Sequence, residues 1–285
     1  MFEEKIDTLV FASLVADAYS LGVHWIYDEK QLLEAPVDWE RLNAPMAAWH
    51  KGKKAGDFTH HGDQLLWLEE FLSGKTTFDS EAYGAFWFEK MQRYDGYVDG
   101  ASRTTMENMK NNTTPSGSAS TDLSVVGRIG PLLRVCATPE SFYTSVAQFI
   151  ALTHNSPKAL MCGDFIARLL VMVLEKKPIK EAIMHLKDGY PEEFRQMIER
   201  GVDAQDKETL AAIRAFGPAC AIDGGLSGVV HLLCKYDSFK EMVMHNAKAG
   251  GDSSARGMVA AMIFMANGAI GQIPPAWQKV NVKPK

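Results

Sequence analysis

The chain has 285 residues, 46% of them hydrophobic and 23% charged, with a net charge of −5 and a pI near 5.9. That balance describes a globular chain with one sizeable core, and residues 1–285 read as a single domain. The one basic cluster, Lys51-Gly52-Lys53-Lys54, is too small to serve an extended nucleic-acid surface, and no stretch reaches the roughly 18 uninterrupted apolar residues of a membrane span.

At the N-terminus, Glu3, Glu4 and Asp7 stand where a signal peptide carries positive charge, and the apolar run from Leu9 to Ala16 is cut by Asp17. A soluble, cytoplasmic protein is therefore expected. The four cysteines show no C-x-x-C spacing and read as reduced thiols without disulfides. The first helix places Asp17 among Leu14, Val15 and Ala18, surroundings in which a carboxylate needs a dedicated partner. Residues Trp25 to Thr59 read as irregular; their Trp25 and Tyr27 are either lids on the core or stacking partners for a base. Asp63 then leads a helix carrying Leu65, Leu66, Leu68 and Leu72. Tyr83, Phe86, Trp87, Met91 and Tyr94 fall on one helical face, as do Phe142, Val146, Phe149 and Ile150.

Between those helices, Asn111 to Asp122 reads as a loop. Thr138-Pro139 and Ser156-Pro157 each place a capping hydroxyl before a proline at the first helical position. Gly250-Gly251-Asp252-Ser253-Ser254 turns sharply into a helix of small and apolar residues running to Gly268, with Met258, Met262 and Met265 as a core stripe. The tail after Trp277 is irregular. Helical periods dominate and strand alternation is nearly absent, so the fold class is all-α, a bundle of ten or more helices.

Several residues carry more than packing. Asp252, behind two glycines, is either a helix cap or a metal ligand or general acid/base at a positive helix end. Asp63 has the same two readings, and the pair would act as acid and base if they face each other across a cleft. His60 and Asp63, one turn apart, suggest a transition-metal alternative, against the simpler view of His60 and His61 as loop histidines with ordinary hydrogen bonds. Ser116-Gly117-Ser118, with Asp122 at the end of the same loop, offers hydroxyls and backbone N–H groups to a phosphate, or simply connects two helices. His154 closes one helix, where an imidazolium complements the negative end of the dipole. The Lys51–Lys54 loop is solvated and able to swing over an anionic ligand.

Taken in order, Ser13-Leu14-Val15-Ala16-Asp17-Ala18 with Leu21-Gly22-Val23, then Asp63-Gln64, Arg128-Ile129-Gly130-Pro131-Leu132, Leu152-Thr153-His154-Asn155-Ser156-Pro157 and the Gly250-Gly251-Asp252 helix with Ile273-Pro274 and Trp277, resemble the ADP-ribosylglycohydrolase family. Residues Leu21 to Asp28 and Gly62-Asp63-Gln64 look most like its J-type crystallin branch. The resemblance implies an orthogonal multi-helix bundle that holds two magnesium ions and hydrolyses the glycosidic bond between ADP-ribose and an acceptor. Its partners would be an ADP-ribose-like small molecule or an ADP-ribosylated target.

By that resemblance the ligand would touch Asp17, Ser116, Gly117, Ser118, Asp122, His154 and Gly251, and the metal would touch Asp63, Asp252 and Ser254; His60 joins as a ligand only in the transition-metal alternative. The chain departs from the family's pattern. Where active members have Thr-Asp-Asp-Thr-Gln it has His60-His61-Gly62-Asp63-Gln64, and where they have Gly-Gly-Asp-Thr-Asp-Thr it has Gly250-Gly251-Asp252-Ser253-Ser254-Ala255. Three metal-binding carboxylates are missing, which argues for a depleted magnesium site. Three functions follow as alternatives: a hydrolase of an ADP-ribosyl or related ribosyl bond with an altered metal site, a non-catalytic ADP-ribose or nucleotide binder, and a structural, crystallin-like protein.

Overall fold

The computed structural model describes the backbone of residues 2–268 and 271–282, with side chains from Lys5 onward. Its α-helices are α1 (Phe2–Ser20), α2 (Glu29–Leu33), α3 (His60–Leu72), α4 (Ser80–Gln92), α5 (Gly100–Lys110), α6 (Pro139–Thr153), α7 (Pro157–Leu174), α8 (Ile179–Leu186), α9 (Glu192–Asp203), α10 (Thr209–Phe216), α11 (Ile222–Lys235), α12 (Phe239–Lys248) and α13 (Ser253–Ala266). Among the described residues there is no strand, only isolated bridges joining Ser118 to His154 and Asp122 to Ala221. The all-α expectation holds.

The caps read from the sequence form as drawn. Thr138 and Ser141 make a reciprocal capping box at the start of α6, and the Ser156 hydroxyl accepts from Ala159 N–H at 3.2 Å at the start of α7. Three boundaries differ. The segment Trp25 to Thr59 contains α2, which Asp28 starts by accepting from Gln31 N–H at 2.8 Å, and a 3₁₀ turn at Ala48–His50. Tyr94 lies beyond α4, so the aromatic face ends at Met91, and Phe86 is only half-buried. Helix α13 stops at Ala266.

The core is organised around α13, whose residues from Ser253 to Ala266 are all buried. Small side chains let α1 lie alongside it. Ser13 Oγ donates to Met258 O at 2.8 Å, and Ser20 Oγ to Ser253 O at 3.2 Å, so two hydroxyls find backbone acceptors instead of being buried unpaired. Trp277 closes the far side: it is fully buried, its ring lies tilted with its centroid 4.0 Å from that of Tyr19, and it donates its indole N–H to Glu40 O at 3.0 Å. All four cysteines are free thiols. No described helix is long and apolar enough to cross a membrane.

Candidate functional site

Three segments meet at Asp17, one turn from the end of α1. Its carboxylate is completely buried and accepts from Thr59 N–H (2.8 Å), from Thr59 Oγ1 (2.6 Å) and from Ser254 Oγ. Thr59 is the N-cap of α3 and Ser254 lies in the first turn of α13, so one carboxylate faces the positive ends of two helices. Burial pushes the Asp17 carboxyl up to about 6, against the lowering effect of those hydrogen bonds. This is the dedicated partner set that the sequence demanded.

Asp252 sits at the head of α13 behind Gly250 and Gly251, whose φ values of 65° and 60° are left-handed. A Cβ on Gly251 would stand 2.1 Å from Pro218 O, so glycine is required by space as well as conformation. The turn is woven into the α1–α2 connection, with Trp25 N–H donating to Gly251 O and Gly251 N–H to Ile26 O, both at 2.8 Å. Arg256 clamps it from inside through Asn246 Oδ1 (3.1 Å), Pro218 O (3.1 Å) and Gly250 O. Asp252 Oδ1 caps the helix on Ala255 N–H at 3.0 Å, and Oδ2 has no hydrogen-bond partner. Burial, then the charge of Asp122, holds its carboxyl well above the usual range.

Two imidazoles face this carboxylate. His24 Nδ1 lies 3.7 Å from Oδ1 and His61 Nε2 lies 3.9 Å from Oδ2, both beyond hydrogen-bond range. Burial holds both rings neutral, so neither contact is an ion pair. His60 and His50 extend the cluster: the His60 ring is 3.8 Å from that of His61, and Trp25 stacks on His24 at 4.5 Å and on His50 at 5.1 Å. Neither nitrogen of His60 or His61 has a hydrogen-bond partner. This corrects the view of His60 and His61 as loop residues with ordinary hydrogen bonds: both are buried in the first turn of α3, and their adjacent rings pack together instead of diverging. Sequence reading did not single out His24 and His50. The available signal was crowding, since four of the eight histidines lie between residues 24 and 61.

The other candidates are placed as follows. Asp63 is engaged by Lys53 Nζ and Tyr94 OH, both at 2.6 Å, so Lys53 is not a free swinging cation. His60 turns towards Asp99, its Nε2 3.7 Å from Oδ2, and makes no set with Asp63. Ser118 Oγ donates to Thr153 O at 2.8 Å and Ser116 Oγ to Leu152 O at 3.4 Å. A Cβ on Gly117 would meet Ala151 O at 2.0 Å. The loop is thus stitched to the end of α6, with its hydroxyl protons spent there rather than free for a phosphate. Asp122 caps the 3₁₀ segment Leu123–Arg128 on Ser124 N–H at 2.8 Å. His154 does close α6, but as a neutral ring: it is buried, pairs through Nδ1 with Thr153 Oγ1 at 2.8 Å, and is held low by burial and by Arg128. The imidazolium expected there does not form. Tyr27 is 45% exposed and stands outside the cluster.

These donors do not fit a magnesium pair, which needs about six oxygens per ion in a tight octahedron. His61, Gly62 and Ser254 occupy positions where the resemblance puts carboxylates. At Gly62 even a Cβ would stand 2.3 Å from Asp17 Oδ2, and the Ser254 hydroxyl is committed to the same carboxylate. Two other groupings exist among the described residues: His24, His61 and Asp252, and Asp122, Cys220 and Asp252, each with donor atoms within 4.8 Å of one another. A cleft of about 190 Å³ lined by Trp49, His50, Lys53, His60, Tyr94 and Tyr97 opens at the outer histidines of the cluster, His50 and His60.

The chain as a whole has relatives. The chain is 21% identical over 283 residues to crystallin J1A of Tripedalia cystophora and 20% identical over 277 residues to crystallin J1B of the same organism; each match covers 89% of this chain and 84% of the crystallin. A solved structure described as an ADP-ribosylglycohydrolase-related protein complex shares the fold, with a TM-score of 0.71 and 17% identity over 96% of this chain and 91% of that one. The family model for ADP-ribosylglycohydrolase matches residues 2–283, and the chain belongs to that family.

Proposed function

We propose that the protein hydrolyses an N- or O-glycosidic bond to the ribose of ADP-ribose or a related ribosyl group, at the head of α13 and without a magnesium pair. The observation that carries this reading is Asp252 Oδ2: a buried carboxylate oxygen with no partner, at a positive helix end, in a family of glycohydrolases. In the reaction the C1–N or C1–O bond breaks through an oxocarbenium-like ribose and water adds to C1. Asp252 orients that water and accepts its proton, and that proton then passes to the departing group, so that one water is consumed in all. The ribosyl end enters by the cleft above His50 and His60, whose volume is below that of a pocket enclosing a whole nucleotide. Free thiols suit a reducing cytoplasm.

The test is turnover of ADP-ribosylated arginine and serine peptides by the native chain and by Asp252→Asn, with thermal unfolding as the control for folding. A loss of about 100-fold or more with an unchanged melting temperature is expected; full activity in the variant would overturn the reading.

The narrowness of the cleft favours a second reading, a non-catalytic, crystallin-like role. It requires that no ADP-ribose or nucleotide raise the melting temperature, whereas a ligand at about a hundred times its Kd adds about 2.7 kcal/mol.

A further inference from the structure

We propose that His24, His61 and Asp252 bind a late first-row transition-metal ion of the zinc class, with a fourth position left to water or a ligand. The inference goes beyond the hydrolase reading and stands whether or not a glycosidic bond is cleaved.

The first ground is the accounting of polar atoms. Buried donors and acceptors are ordinarily paired, and each left alone destabilises the fold. Here His61 has no partner at either nitrogen, Asp252 has none at Oδ2, and His24 has none at Nε2; all three side chains are at most 1% exposed. The Nδ1 of His24 receives only a long 3.4 Å contact from Ser254 N–H. His61 Nε2 and Asp252 Oδ2, both orphaned and 3.9 Å apart, are explained together if their lone pairs converge on a cation, with His24 Nδ1, 3.7 Å from Asp252 Oδ1, completing the set.

The second ground is geometry. An ion of this class, with bonds of about 2.0–2.1 Å in a tetrahedron, sets its donors about 3.4 Å apart. The His24 and His61 nitrogens are 3.7 and 3.9 Å from the two Asp252 oxygens, and one donor atom from each residue fits within 4.8 Å, so small side-chain movements close the site. Two imidazoles and one carboxylate with an open position make a catalytic zinc donor set, and imidazole selects against magnesium.

The third ground is charge. Asp17 and Asp122 both act electrostatically on Asp252, and a divalent ion relieves the repulsion between buried Asp17 and Asp252 and half-buried Asp122. The alternative set, Asp122, Cys220 and Asp252, is less suited. Its thiol is hydrogen-bonded to Asp122 and held protonated by burial, and Asp122 is already a helix cap.

The experiment uses the whole chain stripped with a chelator. Zinc is titrated against a chromophoric chelator, and cobalt(II) is followed by visible absorption. One ion per chain with micromolar or tighter affinity, the intense absorption of a four- or five-coordinate cobalt site, and no displacement by millimolar magnesium are expected. His61→Ala and His24→Ala should each weaken binding by about 100-fold or more, while exposed His185→Ala leaves it unchanged. If the first two variants do not fold, the cobalt spectrum of the native chain decides: the weak bands of an octahedral ion overturn the proposal. Absence of binding, equal competition by magnesium, or unchanged affinity in folded His61→Ala and His24→Ala would also overturn it. Because no turnover is measured, failure of the hydrolase reading and failure of the metal site are separately visible.

Discussion

Gly62→Ala should destabilise the protein although local propensity points the other way. Gly62 lies in the first turn of α3, and alanine in a helix is favoured over glycine by about 1 kcal/mol. The added Cβ would stand 2.3 Å from Asp17 Oδ2 and 2.8 Å from Phe58 Cβ, about an ångström inside contact distance. Asp17 cannot step aside, because Thr59 N–H, Thr59 Oγ1 and Ser254 Oγ hold it from two other helices. Relief means moving α3 against α1 or weakening charge-assisted hydrogen bonds worth about 1.5–3 kcal/mol each, on top of overpacking of about 1–3 kcal/mol. After subtracting the propensity gain, a net loss of about 2–4 kcal/mol remains, or roughly 3–7 °C in Tm for a chain of this size. The assay is a double-mutant cycle read by thermal or urea unfolding. In an Asp17→Ala background the same glycine substitution should cost at least about 1 kcal/mol less, since the obstructing oxygen is gone and only the contact with Phe58 remains. A Gly62→Ala protein with unchanged or raised Tm, or equal costs in both backgrounds, would refute the reasoning.

Gln64 Oε1 accepts from Trp87 Nε1 at 3.0 Å and from the buried guanidinium of Arg128, so Gln64→Leu should cost about 3 kcal/mol in urea unfolding by stranding a buried charge; a loss below 1 kcal/mol would show that Arg128 finds another acceptor. Trp277→Ala empties the space against Tyr19 and should cost about 3–5 kcal/mol, whereas Trp277→Phe, which keeps most of the volume, should lose less. Acid should destabilise the fold: His24, His60, His61 and His154 are all held neutral by burial, so the stability they contribute is present above about pH 6.5 and is lost as pH falls. At pH 5 each still-neutral ring has forfeited about 2 kcal/mol. Asp17, Asp63, Asp122 and Asp252, with raised carboxyls, contribute in the opposite sense on the same descent, but His50, His231 and His245 are lowered too, so seven imidazoles outweigh four carboxyls. The Tm of the metal-free chain should therefore fall from pH 7 to pH 5, and a rise would contradict the neutral-histidine assignment.

How much of this was legible in the sequence depended on whether the decisive partner was local. The caps at Thr138 and Ser156, the thin helix after Asp252 and the methionine stripe follow from residues a few positions apart, and the structure keeps them. Asp17 announced its need for partners but not who they were, since Thr59 and Ser254 are 42 and 237 positions away. Asp63 looked equivalent to Asp252, both being acidic residues at helix starts. They differ because Lys53 and Tyr94 reach one, while only neutral imidazoles face the other. The histidine cluster draws on residues 24, 50, 60 and 61 from three stretches of chain, and no periodicity links them. The expected charge on His154 failed for a related reason: the helix dipole was local and visible, but the burial and the nearby Arg128 that outweigh it were not.

The hydroxyl of Ser13 on the Met258 carbonyl and that of Ser254 on Asp17 join positions 245 and 237 apart. Such contacts carry a high loop-closure cost and reward the chain only when nearly all of it is present. During synthesis, α1 emerges first with Asp17 on a helix whose packing partner has not been made, and its apolar face stays uncovered until α13 arrives. The cluster of Asp17, Asp252 and the imidazoles is then among the last parts to form. A fragment stopping before residue 250 should leave Asp17 without Ser254 and the imidazoles without Asp252, so truncation removes the site by leaving it unassembled.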